Sequence, residues 1–338
     1  MIIYIGNKLS KHGYTPTSVE TLGPLLAQYY DIQTYSDKKN KLLRYFDFLY
    51  QIFKNRKNTE LILIDTYSSL NFYFAYSAAV LSQWLKIPYI PILHGGNLIE
   101  RVEKFPVMSK KLFHNATINV SPSKYLNEYF NENGYKTVYI PNNIDISMYP
   151  FKERKQIQPK LLYVRAFHKI YNPTMAVKVL FEISKTYDNA TLCMVGPDKD
   201  GSLEDVKQLA RELNVIDKIT FTGRLKKEEW IALSSEYDIF INTTNFDNQP
   251  VSIIEAMALG FPIVSTNAGG IPYLIENKFN GFVIEKNHVE EMTNVILSLL
   301  DNVELANQLS KNARISANEF SWSVVVTKWK GLINAYLE

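Results

Sequence analysis

The densest group of residues able to do chemistry is the polar run Thr243-Thr244-Asn245-Phe246-Asp247-Asn248-Gln249-Pro250, which follows a short apolar β-type run ending at Asn242. Val251 to Leu259 then has the make-up of a helix, stopped by Gly260 and Pro262. Pro250 suits the start of that helix, because the N–H it lacks would go unpaired there. The first amides, around Val251 and Ser252, carry about half a positive charge between them and make a seat for a phosphate group. Asp247 in the loop and Glu255 in the early helix lie eight residues apart, so both carboxylates can face one cleft.

Other chemistry-bearing residues also stand at the ends of β-type runs. Arg165 and Lys169 follow Leu161 to Val164. His94 follows Pro88 to Leu93 and precedes Gly95 and Gly96, which allow close backbone approach. Gly6 ends the first run and opens a loop containing His12, Gly13 and Thr15, although no G-x-G-x-x-G or P-loop pattern is present. Gly196 and Gly223 close two further runs, each a plain turn or a close approach to a ligand. His114 and His288 read as surface residues.

The elements that must position these residues alternate. In the N-terminal half, β-type runs at 2–5, 31–35, 61–65, 88–93 and 116–120 are spaced by helical patterns at 18–30, 38–57 and 72–85, with another from Pro122. The second half repeats the logic, with runs at 161–164, 191–195, 219–221, 239–242 and 263–265 and two helices closing the chain. Such alternation implies parallel sheets with helices on both faces, and ligands beyond the carboxyl ends of the strands. The expectation is two doubly wound α/β domains, 1–145 and 150–319, facing a central cleft. The linker is placed at 138–149, among Pro141, Pro150 and two asparagines.

The run from Asp247 to Glu255, with Ala256-Met257-Ala258-Leu259-Gly260 and Pro262-Ile263-Val264-Ser265-Thr266 behind it, resembles the signature of glycosyltransferase family 4. Gly269-Gly270-Ile271-Pro272 and Asn280-Gly281-Phe282-Val283 are similar to that family as well. The family usually has Glu where this chain has Asp247, and Gly where it has Arg165. The resemblance implies the GT-B fold of two Rossmann-like domains and retention of the anomeric configuration. It implies that Glu255 holds the nucleotide ribose, that Val251 and Ser252 bind the diphosphate, and that Asp247 and His94 position the transferred sugar. Arg165 and Lys169 would neutralise the leaving diphosphate, with Gly196 and Gly223 near the nucleotide. Gly6, His12, Gly13 and Thr15 would face donor and acceptor, and a last helix at about 320–338 would pack back on the N-terminal domain. The triplet Asp198-Lys199-Asp200 matches a metal motif of the other large glycosyltransferase fold, but it lies in a loop of a two-domain chain. No essential metal and no cofactor are expected.

Composition bounds the rest. The chain has 338 residues, 46% hydrophobic and 21% charged, which excludes a disordered or collagen-like protein. Cys193 alone excludes a disulfide framework and a cysteine zinc site, and fits a reducing compartment. A net charge of +3 gives no argument for nucleic acid. The excess lies in 1–150, which holds 16 basic and 11 acidic residues. No targeting segment or membrane span is apparent. Between Lys38 and Lys57 basic residues interleave with apolar ones at helical spacing, either a sheet-covering helix or a surface for anionic lipid. The expectation is therefore a cytoplasmic enzyme, either free or peripheral on the inner membrane face. It would move a sugar from a nucleotide-diphosphate sugar to a glycan or lipid-linked acceptor in surface polysaccharide or glycoconjugate synthesis. An epimerase of the same architecture and a non-catalytic sugar-nucleotide binder are the alternatives.

Overall fold

The structure, a computed structural model, describes every residue except Thr15, Gly96 and Glu338. The chain divides into two compact units, Met1–Asn142 with Val325–Glu338, and Asn143–Val324. The boundary falls among the prolines and asparagines that follow Tyr139.

The first unit carries strands β1 (Ile2–Ile5), β2 (Ile32–Tyr35), β3 (Leu61–Tyr67), β4 (Tyr89–His94), β5 (Asn119–Ser121) and β6 (Thr137–Tyr139). They form one sheet in the order β2-β1-β3-β4-β5-β6, every neighbouring pair parallel. Strands β1 and β4 are buried throughout, which is why they read as unbroken apolar runs instead of alternating ones. Among the described residues three α-helices precede β4. Helix α1 (Ser18–Leu26) is tied to the loop before it by Glu20, whose carboxylate accepts from the amides of Ser10 (3.1 Å), Leu9 (3.3 Å) and Thr17 (3.3 Å). Helix α2 (Lys41–Asn55) starts three residues later than the spacing suggests. The Asn40 side chain caps it, accepting from Leu42 (2.9 Å) and Leu43 (3.2 Å). Helix α3 (Asn71–Leu85) lies against α2, where the Tyr45 and Phe74 rings pack 5.3 Å apart.

The second unit carries β7 (Lys160–Val164), β8 (Thr191–Val195), β9 (Ile219–Gly223), β10 (Ile239–Asn242), β11 (Ile263–Thr266) and β12 (Phe282–Ile284). Their order is β12-β11-β10-β7-β8-β9, again all parallel. The strand order reverses between β1 and β3 in the first unit and between β7 and β10 in the second. At such a point adjacent connections leave in opposite directions and open a crevice for ligands.

Several expectations need correction. Each sheet has six strands, not five, and the two unforeseen strands, β6 and β12, are three-residue edge strands too short to show a period. The run at 116–120 pairs only from Asn119, and the helix after it begins at Lys124 behind a Ser123 cap. Among the described residues three α-helices, not two, come last: Val289–Asp301, Val303–Ala317 and Trp322–Leu337. Asn302 separates the first two because its side chain accepts from the Leu305 amide (3.0 Å) and restarts the helix.

Candidate functional site

At the β7/β10 switch point three loops are fastened together. Thr243 Oγ donates to the carbonyls of Asn172 (2.8 Å) and Tyr171 (3.0 Å), and the Asn245 amide donates to Ile170 (2.8 Å). These bonds latch the loop after β10 to the loop after β7. The Gly269-Gly270 turn after β11 closes on the same place, with the Gly270 amide donating to the Asp247 carbonyl (2.8 Å). Gly269 has φ +59°, and a Cβ there would lie 2.2 Å from that carbonyl oxygen, so only glycine fits.

The result is an ion pair between Arg165 and Asp247, each with under a fifth of its side chain exposed. The guanidinium also lies over the Tyr171 ring, 4.5 Å from its centroid. Burial pulls the Arg165 guanidinium below its usual range. A residue expected on the sugar and a residue expected on the diphosphate thus hold one another. Lys169 lies on the short turn Lys169–Tyr171 with its side chain exposed. Its amide donates to Asp200 (3.0 Å), and this bond is the main reason the Asp200 carboxyl is held down at about 2. Asp198 and Asp200 therefore act as loop caps, Asp198 accepting from the Gly201 amide (3.0 Å). Gly196 permits the close approach of β7 and β8, since a Cβ would meet the Arg165 carbonyl at 2.0 Å. Gly223 stands at φ +68° and faces open space.

The helix Val251–Ala258 opens beside this pair. The amides of Val251 and Ser252 precede the first intrahelical bond, as at any helix start. The Ser252 hydroxyl is buried and has no hydrogen-bond partner among the described residues, and neither does the Asn245 side-chain oxygen. Glu255, 6% exposed, accepts from the Tyr149 hydroxyl (2.6 Å) and pairs with Lys227 Nζ (3.0 Å), both at Oε1. Burial, reinforced by that carboxylate, pushes the Tyr149 phenol well above its ordinary range, so it stays a donor. Neither Tyr149 nor Lys227 is visible as a site residue in the sequence. Tyr149 lies at the end of the linker segment, and Lys227 looks like any lysine opening a helix.

In the first unit the corresponding strand ends converge on Asp65, which sequence reasoning missed. The residue is 6% exposed, and its carboxylate accepts from Tyr4 Oη (2.9 Å), His94 Nε2 (2.8 Å) and the Val19 amide at the start of α1 (3.2 Å). The His94 ring stacks on Tyr67 at 4.8 Å. Gly6 is glycine because a Cβ would lie 2.4 Å from the Asp65 carboxylate. His12 is exposed with Nε2 3.0 Å from the Asp37 carbonyl, and Gly13 (φ +82°) closes that turn. Thr15, the remaining residue expected in this loop, lies outside the described residues. The structure thus brings together Arg165, Asp247, Val251, Ser252 and Glu255 in the second unit, and Gly6 with His94 around Asp65 in the first.

Known proteins share this chain's sequence family and fold. Residues 147–316, half of the chain, match the family described as glycosyl transferases group 1. An uncharacterized glycosyltransferase of Haemophilus influenzae is 32% identical over 158 residues, 46% of this chain and 44% of its own length. A glycogen synthase of Mycobacterium tuberculosis is 24% identical over 75% of this chain and 64% of its own. The chain therefore spans under half of the first relative and just under two thirds of the second. Among solved structures, Anabaena Alr3699/HepE in complex with UDP superposes with a TM-score of 0.81, at 16% identity and covering 99% of both chains. Sucrose-phosphate synthase of Thermosynechococcus elongatus gives 0.78 at 16% identity, covering 99% of this chain and 98% of that one. The fold is that of GT-B glycosyltransferases, and the chain belongs to the glycosyl transferases group 1.

Proposed function

We propose that this protein transfers a sugar from a nucleotide-diphosphate sugar to a glycan or lipid-linked acceptor, as a retaining enzyme of glycosyltransferase family 4. The observation that carries the reading is the start of the Val251 helix at the switch point of the second sheet. The first-turn amides, which lie outside the intrahelical ladder, and the buried Ser252 hydroxyl, unpartnered among the described residues, stand there beside the Arg165–Asp247 pair. A diphosphate would accept from those amides and from the hydroxyl, and would compete with Asp247 for the guanidinium. Lys169, exposed on the neighbouring turn, would add a second cation to the departing diphosphate. Glu255 has one carboxylate oxygen engaged by Tyr149 and Lys227, and its other oxygen would accept from the ribose. Asp247, released from Arg165, would then orient the sugar, a role we also propose for His94, which Asp65 holds in the first unit.

The reaction proposed is metal-independent, with attack of an acceptor hydroxyl on the face the nucleotide leaves. Surface polysaccharide or glycoconjugate synthesis in the cytoplasm is the setting we favour. UDP is the first nucleotide to test, because the similarly folded Anabaena protein binds UDP and UDP-glucose.

The test is thermal stability with UDP, GDP and ADP at saturating concentration. One of them should raise the melting temperature, since ligand at about 100 times its Kd adds ~2.7 kcal/mol. Glu255→Gln, which keeps the shape of the side chain, should abolish the shift. No shift with any of the three nucleotides refutes the reading. Donor conversion in the absence of any acceptor, followed by NMR, would replace it with an epimerase.

A further inference from the structure

The first unit has a second apolar face that its own core does not use. Helix α2 buries Phe48 and Ile52 against the sheet. A different stripe of the same helix, at helical spacing, stands in solvent: Leu42 (69% exposed), Phe46 (63%), Tyr50 (58%) and Phe53 (43%). Val80 and Trp84 of α3 line the same groove, with Trp84 71% exposed. Single exposed apolar residues are ordinary, but a contiguous aromatic groove across two helices marks a contact surface.

Charge decides what that contact is. Residues 38–57 contain seven basic side chains and one acidic one, Asp47. Arg44 is buried and donates to the carbonyls of Lys38 and Lys39, so six basic side chains remain near the groove. They stand at its two ends, Lys38, Lys39 and Lys41 before the stripe and Lys54, Arg56 and Lys57 after it. The Arg56 guanidinium packs 4.1 Å from the Phe53 ring centroid, so charge and apolar surface are continuous. The carboxylate that directly precedes this segment in sequence, Asp37, pairs with Lys11 and lies 3.9 Å from Lys38, whose side chain stays half exposed. A second copy docking through this face would bring like charges together, at a cost in binding. An anionic bilayer offers what the face lacks, with negative headgroups for the six cations and an interfacial layer in which Trp and Tyr rest well.

We propose that the α2–α3 face docks on membranes rich in anionic lipid, with Phe46, Tyr50, Phe53 and Trp84 entering the interface and the lysines on the headgroups. This surface is independent of the proposed sugar transfer, and its test needs neither donor nor acceptor.

The full chain is co-sedimented with vesicles of phosphatidylcholine containing roughly a quarter phosphatidylglycerol, and with pure phosphatidylcholine. Binding to the first and not the second is expected, weakening with salt, together with a blue shift of tryptophan fluorescence that Trp84→Phe removes. Replacing Lys38, Lys39 and Lys41 by serine should weaken binding about a hundredfold, at about fivefold per charge. Phe46→Ser with Trp84→Ser should weaken it at least about tenfold, because two aromatic rings no longer enter the interface. These side chains are exposed, so unchanged circular dichroism is the control for folding. Equal binding to both vesicles, or none to the anionic ones at low salt, overturns the proposal. So does a dimer in light scattering that Phe46→Ser dissociates, which would make the face an interface between copies.

Discussion

Removing Asp247 tests the second-unit site most directly. Asp247→Ala leaves Arg165 as a largely buried cation lying over the Tyr171 ring. Breaking a buried pair from one side costs about 3–5 kcal/mol. With 14% and 17% of the two side chains exposed, water screens part of the loss, so about 3 kcal/mol is expected. Replacing both partners, Asp247→Ala with Arg165→Met, should recover most of it, because the uncompensated charge is then gone. The assay is urea-dependent hydrogen exchange read on peptides from β7 and β10, which follows the second unit by itself. The variant also provides an internal check on function. With Asp247 absent a diphosphate no longer competes for Arg165, and each charge-assisted hydrogen bond is worth about 1.5–3 kcal/mol. UDP should therefore stabilise Asp247→Ala more than the unaltered protein, by about that amount. A single-variant cost below about 1 kcal/mol with no coupling in the double variant would refute the pairing argument. A normal cost with no extra stabilisation by UDP would refute the diphosphate's place beside Arg165.

Two further outcomes follow from the same loops. Gly269→Ala must adopt φ +59° and meet the Asp247 carbonyl at 2.2 Å. About 1–2 kcal/mol of conformational cost plus about 1–3 for the clash should lower unit stability and UDP affinity together, read by hydrogen exchange and thermal shift. Asp200 has its carboxyl depressed to about 2 by the Lys169 amide. Its contribution should be fully present above pH ~4, where the unfolded carboxylate is also ionised, and lost as pH falls through about 2. The amide exchange of Lys169, corrected for its intrinsic pH dependence, should lose protection over that window in the parent and show no such change in Asp200→Asn.

Much of this was legible in the residues, and the failures share a cause. Buried parallel strands are uniformly apolar, so β1, β4 and β10 stand out, whereas β6 and β12 are three residues long and lie at sheet edges. Arg165, Asp247, Glu255 and His94 could be singled out by type and by position after a strand. Their partners could not. Asp65 sits beside His94 because β3 and β4 are neighbours in the sheet, and Tyr149 reaches Glu255 across 106 positions. Sequence spacing shows which side chains share an element, and only strand order shows which elements share an edge. For the same reason the sequence points Arg165 and Asp247 at different parts of a donor, although the Thr243 latch places them against each other.

The closing helix has a consequence for how the molecule is made. From Val325 onward it belongs to the first unit, where Tyr30 Oη bonds to Asn334 (2.6 Å) and Lys330 lies over Tyr29 (3.5 Å). The second unit is thus an insertion within the first. On the ribosome residues 1–142 emerge early, yet they wait for the entire second unit to be synthesised before their last helix arrives. The entropic cost of closing so long a loop grows only with the logarithm of its length, and it falls once the inserted unit has folded. The second unit is contiguous and can fold on first emergence, so the first unit to be translated is the last to be completed.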